Sequence, residues 1–147
     1  MQVRRRDAQL LVLGGQGVGH LDGGEGVAAI PTVNAAHDRR YYAITVNPQV
    51  FINLVPDHVI FHRMFPLAAD RTMVECDWLY LPGVVESGRD LSRSVELFHR
   101  VNQQDFEACE RCQPAMSSRM YKDGGVLVPS EAHIGEFHAW LTTALEA

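Results

Sequence analysis

The stretch from Tyr41 to Tyr80, YYAITVNPQVFINLVPDHVIFHRMFPLAADRTMVECDWLY, decides the fold. Tyr41 to Val46 is aromatic and β-branched, Asn47-Pro48 interrupts it, and Gln49 to Leu54 resumes the pattern before Val55-Pro56-Asp57. Such residues suit a pleated, half-covered surface, whereas Pro, Asn and Asp mark turns, so the spacing predicts two strands and two turns. His58 to Phe65 is a third strand, ended by Pro66. The Ala69-Asp70 turn then leads into Arg71 to Tyr80, where Val74, Cys76 and Trp78 alternate with Glu75 and Asp77. That period of two gives one covered face and one wet face. Connections this short cannot carry the crossover that parallel neighbours need, so the sheet is predicted to be antiparallel.

Working outward, the period becomes helical after Leu81-Pro82-Gly83. Asp90, or Ser87 a little earlier, can cap a helix that runs to about Gln113 and is stopped by Pro114. A second helix is expected from Ser130, whose hydroxyl suits the cap with Glu131 in the first turn. It would place Ile134, Phe137, His138, Leu141 and Leu145 on one stripe. Strands first and helices afterwards predict an α+β domain with helices over one face of the sheet. In the other direction, Gly14, Gly15, Gly17, Gly19, Gly23, Gly24 and Gly26 leave no room for a regular element. Residues 1–40 are therefore read as an irregular glycine-rich leader and residues 41–147 as the domain.

The bulk numbers agree with one core. The 147 residues are 46% hydrophobic, which suits one domain rather than two. A net charge of -5 with interspersed acids and bases offers no basic stripe for nucleic acid or an anionic membrane. Met1 to Arg6 is basic, but Leu10 to Leu13 is too short for a signal-peptide core, and no run has membrane-spanning length. Three cysteines, an odd number, do not suggest a secreted disulfide framework, and a cytoplasmic setting is expected.

Two tempting motifs fail on detail. Gly14-Gly15-Gln16-Gly17-Val18-Gly19-His20 has His20 where a dinucleotide fingerprint needs its third glycine, and Gly23-Gly24 forbids the helix that would hold the pyrophosphate. Cys109-Glu110-Arg111-Cys112 has redox spacing but lies late in a helix, so both thiols are expected to be buried and structural. Phe137 is expected to pack as ordinary core.

On a helical wheel Leu91, Val95, Phe98, Asn102, Asp105, Cys109 and Cys112 share one stripe, opposite Arg93, Arg100, Gln103, Gln104, Glu107, Glu110 and Arg111. Asp105 thus falls on the apolar side. An ionised carboxylate there needs a cation, hydrogen-bond donors or a cavity, and an Arg or backbone amides meet that need as well as a metal ion does.

The segment Val101-Asn102-Gln103-Gln104-Asp105-Phe106, followed by Cys109-Glu110, Gln113, Ser118, Tyr121, Gly124, Glu131 and Phe137-His138-Ala139-Trp140, resembles the carboxy-terminal signature of Rieske non-haem iron oxygenase large subunits, the aromatic ring-hydroxylating family. Pro56-Asp57-His58-Val59, His62-Arg63, Pro66-Leu67, Asp70-Arg71-Thr72 and Trp78-Leu79-Tyr80 are similar to the strand region that precedes it. The resemblance implies an incomplete helix-grip fold, an antiparallel sheet packed against helices. It also implies that Asp105 is the carboxylate ligand of a mononuclear Fe(II) otherwise held by two histidines. Such a ligand set leaves positions open for O2 beside the substrate. Asn102, one turn earlier, would orient that carboxylate or line the substrate pocket, with His62 and Phe98 as further pocket residues. The implied chemistry inserts oxygen from O2 into an aromatic or other small organic substrate, as a dioxygenase or monooxygenase. Electrons come from NAD(P)H through a ferredoxin or reductase and a [2Fe-2S] Rieske cluster, and the family forms homo-oligomers.

The chain departs from that pattern in two places. It has neither the Cys-x-His nor the Cys-x-x-His pair of a Rieske cluster, and nothing matches the paired histidines of the iron site. His58 and His62 have the spacing of a ligand pair, but on a strand, where packing or hydrogen bonding is the expected role. The resemblance does not extend to residues 1–40. The chain is read as a fragment, a truncated product or a misread start that binds no cluster and does not turn over alone. The alternative is a non-catalytic helix-grip module that binds a small apolar ligand.

Overall fold

The computed structural model describes residues 8–11, 27–121 and 124–146. The glycine run and His20 lie outside these residues. The chain divides into two compact units, Met1–Asn102 and Gln103–Ala147.

The first unit is an antiparallel meander in chain order: β1 (Ala8–Leu11), β2 (Tyr42–Val46), β3 (Val50–Leu54), β4 (Val59–Ala68) and β5 (Arg71–Leu79). The last four are the strands expected from the sequence. β1 is an addition inside the stretch read as an irregular leader, and it pairs Ala8 with Val46 and Leu11 with Ala43. β4 runs through Pro66, where the sequence predicts a stop. β3 accompanies β4 only as far as Arg63, so Pro66 pairs on one side alone, opposite Thr72 beside a register shift. A proline is tolerated where a ladder is unpaired or bulged. On β5 Val74, Cys76 and Trp78 are half-buried and Glu75 and Asp77 exposed, as the alternation predicts. Arg63 meets Glu75 at 3.0 Å and Asp77 at 2.8 Å across the two strands. These groups are nearly half exposed, so the contacts add little stability.

The core lies on one face of β2 to β4, with Ala43 and Ile60 fully covered. A short helix α1 (Pro82–Glu86) follows β5 in place of the expected turn, and α2 (Ser92–Met116) follows that. Asp90 caps α2 as expected, its Oδ1 accepting from the Ser92 amide at 2.9 Å. This hydrogen bond holds the Asp90 carboxyl below its ordinary range. A depressed pKa contributes stability above the unfolded value and loses it as pH falls through the folded one. The stability difference between wild type and Asp90→Ala should therefore be constant near neutrality and shrink below about pH 4. A pH-independent difference in urea unfolding would contradict the capping role.

The second unit holds the rest of α2, 3₁₀ turns at Arg119–Tyr121 and Pro129–Glu131, and α3 (Ala132–Leu145). Pro114 does not stop α2 outright. The missing N–H and the ring's clash with the preceding turn act late, and the helix ends at Met116. Ser130 is not the cap of α3. Pro129–Glu131 forms a 3₁₀ turn instead, and the Glu131 carboxylate accepts from the Val128 amide at 2.9 Å. Ile134, Phe137 and Leu141 are half-buried, whereas His138 and Leu145 of the expected stripe are exposed. The Phe137 and Trp140 rings stack at 6.1 Å. Strands followed by helices make the fold α+β, as expected.

Candidate active site

Period-two alternation sends Ala43, Asn53, Ile60 and Trp78, which lie opposite one another across four strands, to the same side of the sheet. The next row adds Phe51, His62 and Cys76. The first turns of α2 cross this face. The Ser94 and Tyr80 hydroxyls are hydrogen-bonded, and the Phe98 ring lies 6.0 Å from that of Tyr41. Asn102 then joins helix to sheet twice, through its Oδ1 to His62 Nε2 at 3.3 Å and its Nδ2 to Cys76 Sγ at 3.4 Å. With Nδ2 given to the sulfur, Oδ1 accepts and His62 Nε2 carries the proton. His62 Nδ1 is then a buried acceptor with no partner among the described residues.

The face is unusually polar for an interior. Asn53, His58 and His62 are each at most 7% exposed. His58 Nδ1 lies 2.9 Å from Asp57 Oδ1, and its ring stacks on Tyr80 with centroids 5.0 Å apart. Asn53 Oδ1, His58 Nε2, His62 Nδ1 and Trp78 Nε1 have no hydrogen-bond partner among the described residues. Polar atoms buried without partners are costly, and four on one side of a sheet suit a face that receives the polar part of a ligand or ordered water.

Burial pushes the Cys76 thiol up, partly opposed by the Asn102 hydrogen bond and reinforced by the Asp77 charge. Burial also raises Tyr41, and raises Tyr80 against the effect of its bond to Ser94. The thiol and both phenols are therefore neutral near pH 7.

Of the residues singled out in the sequence, Asn102 and His62 meet directly, and Phe98 lies one turn earlier on Tyr41. Asp105 belongs to the second unit and is exposed, as are Cys109 and Cys112. The covered stripe of α2 thus ends at Asn102. The desolvation argument for Asp105 does not hold, and neither does the expected burial of the two thiols. The alternation along β5 already puts Trp78 on the covered face, whereas Asn53 is not singled out in the sequence as part of it. The signal available was an amide at the covered parity of a run that is otherwise apolar.

Among the described residues no group of three or more His, Cys, Asp or Glu side chains could hold a metal ion. His58 and His62 are turned to Asp57 and Asn102 instead. The described residues therefore do not by themselves fit the iron centre that the resemblance implies. No helix among them is long and apolar enough to cross a membrane.

An antiparallel meander crossed by a helix over a polar inner face defines an α+β domain suited to holding a small molecule. The family model described as ring hydroxylating alpha subunit (catalytic domain) matches residues 3–147, and the chain belongs to that family. The match takes in residues 3–40, to which the resemblance was not expected to extend. No solved structure matches the chain. Family membership makes this a ring-hydroxylating oxygenase catalytic domain and does not favour the non-catalytic ligand-binding module. The family is one of iron-dependent oxygenases that work with O2, an organic substrate and electron-transfer partners.

Proposed function

We propose that this chain forms part of an oxygenase that inserts oxygen from O2 into an aromatic or other small organic substrate. Its electrons would come from NAD(P)H through a ferredoxin or reductase and a Rieske cluster held outside this chain, in a homo-oligomer of the cytoplasm. The observation that carries this reading is the family match over nearly the whole chain.

In this reading Asp105 supplies the single carboxylate of the iron site, and two histidines come from outside the described residues. Iron(II), when bound, supplies the activation of O2. The chain's own residues bind and orient. Asn102, three residues before Asp105 in the chain, ties the first turns of α2 to the sheet through His62 and Cys76. Phe98 and Tyr41 offer ring surface to an apolar substrate, and His62 Nδ1 offers an acceptor to a polar group on it. By itself the chain is proposed not to turn over.

The test is iron uptake at equilibrium under anaerobic Fe(II), comparing wild type with Asp105→Ala. The wild-type chain is expected to take up more iron, and neither protein to oxidise substrate without its electron donors. Because Asp105 is exposed, its removal should leave the urea midpoint within experimental error. Equal uptake by the two proteins would show that Asp105 does not hold iron in this chain on its own.

A further inference from the structure

Residues 30–40 form a strap of successive turns over one end of the sheet. The Ile30 amide donates to Pro56 O at 2.8 Å, Val33 to Ile30 O at 2.9 Å, and His37 to Asn34 O at 2.9 Å. Between this strap and the ends of β2 and β3 lies a cavity of about 400 Å³, within the range of small-molecule sites. Val33, Leu54, Val55 and Pro56 give it apolar walls, and Tyr42 adds an aromatic ring. Tyr42 is held in place by a hydrogen bond between its hydroxyl and His37 Nδ1, the two rings lying 5.6 Å apart. Tyr42 and Leu54 pair across β2 and β3 and alternate with Ala43 and Asn53. They therefore face away from the side crossed by α2.

One residue sets the chemistry of this cavity. Among the described residues Arg40 lines it, no carboxylate does, and Arg40 makes no ion pair. A planar guanidinium with unused donors matches a carboxylate in a two-point contact, and apolar walls beside it match a flat hydrocarbon body. We propose that this cavity binds a small aromatic carboxylate, with the ring among Leu54, Pro56 and Tyr42 and the carboxylate on Arg40. The site is separate from the α2-facing one and does not depend on the oxygenase reading.

Benzoate is the probe, titrated into the full chain and followed through backbone amide shifts. Shifts are expected at Val33 to Arg40 and at Leu54 to Val55. Benzamide, of the same shape without the charge, should bind at least tenfold more weakly than benzoate, and so should benzoate to Arg40→Gln. Arg40→Lys should fall between, since it keeps the charge and loses the fork. Arg40 is exposed, so the variant is expected to fold, and its thermal midpoint checks this. The proposal is overturned by any of three results: no benzoate binding to wild type, equal affinity for Arg40→Gln, or shifts centred on His62 and Asn102.

Discussion

Ile60→Ala is expected to lower the free energy of unfolding by about 3 kcal/mol, the largest effect of any single substitution considered for this chain. Ile60 is completely covered and sits at the middle of the sheet, opposite Asn53 on one side and Trp78 on the other. Its neighbours are polar or large, and all are held by strand pairing, so the vacated space cannot close. A cavity term then adds to the lost transfer energy. Val59→Ala, one residue away on the opposite face and half-buried, should cost clearly less. Urea unfolding of the two variants measures this. Equal losses would mean that the α2-facing side is not the core.

The second large effect concerns the contact between His62 and Asn102. His62→Leu leaves Asn102 Oδ1 unmatched, and Asn102→Leu leaves His62 Nε2 unmatched and removes the donor to Cys76. Each should destabilise by about 1–3 kcal/mol, because one buried partner stays behind without its bond. The double variant should cost less than the sum, with a coupling of about 1 kcal/mol, since two apolar groups leave nothing unmatched between them. Strict additivity in the unfolding free energies would show that the two side chains do not interact. Asn102→Leu should also free the Cys76 thiol of the interaction that lowers its pKa, so its reaction with a thiol reagent should need a higher pH.

Much of the fold was legible because local chemistry and long-range packing agree on it. The Glu75–Asp77 alternation, the short turns and the Asp90 cap act within a few residues and appear in the structure as the sequence predicts. Neither Pro66 nor Pro114 stops its element. A proline removes one donor, and whether that matters depends on whether a neighbour was waiting for it. At Pro66 β3 has already ended, and at Pro114 the helix was about to end. β1 escaped the sequence reading because it lies just ahead of the Gly14–Gly26 run, and its partner β2 is about thirty residues away in the chain, so no local pattern announces the pairing.

The site was legible in part. Asn102 and Asp105 stand out on the wheel for the same reason, yet only Asn102 is covered. A wheel gives the direction in which a side chain leaves the helix and says nothing of where the covering surface stops. By itself the sequence determined the antiparallel α+β order and the family, and it put Asn102, His62 and Phe98 forward as candidates, because periodicity, turn chemistry and spaced motifs are local properties. Only the tertiary structure decided that Asn102 spans His62 and Cys76, that Asp105 is exposed, and that Arg40 lines an apolar cavity. Those facts rest on residues far apart in the chain, and no local pattern encodes the distance between them.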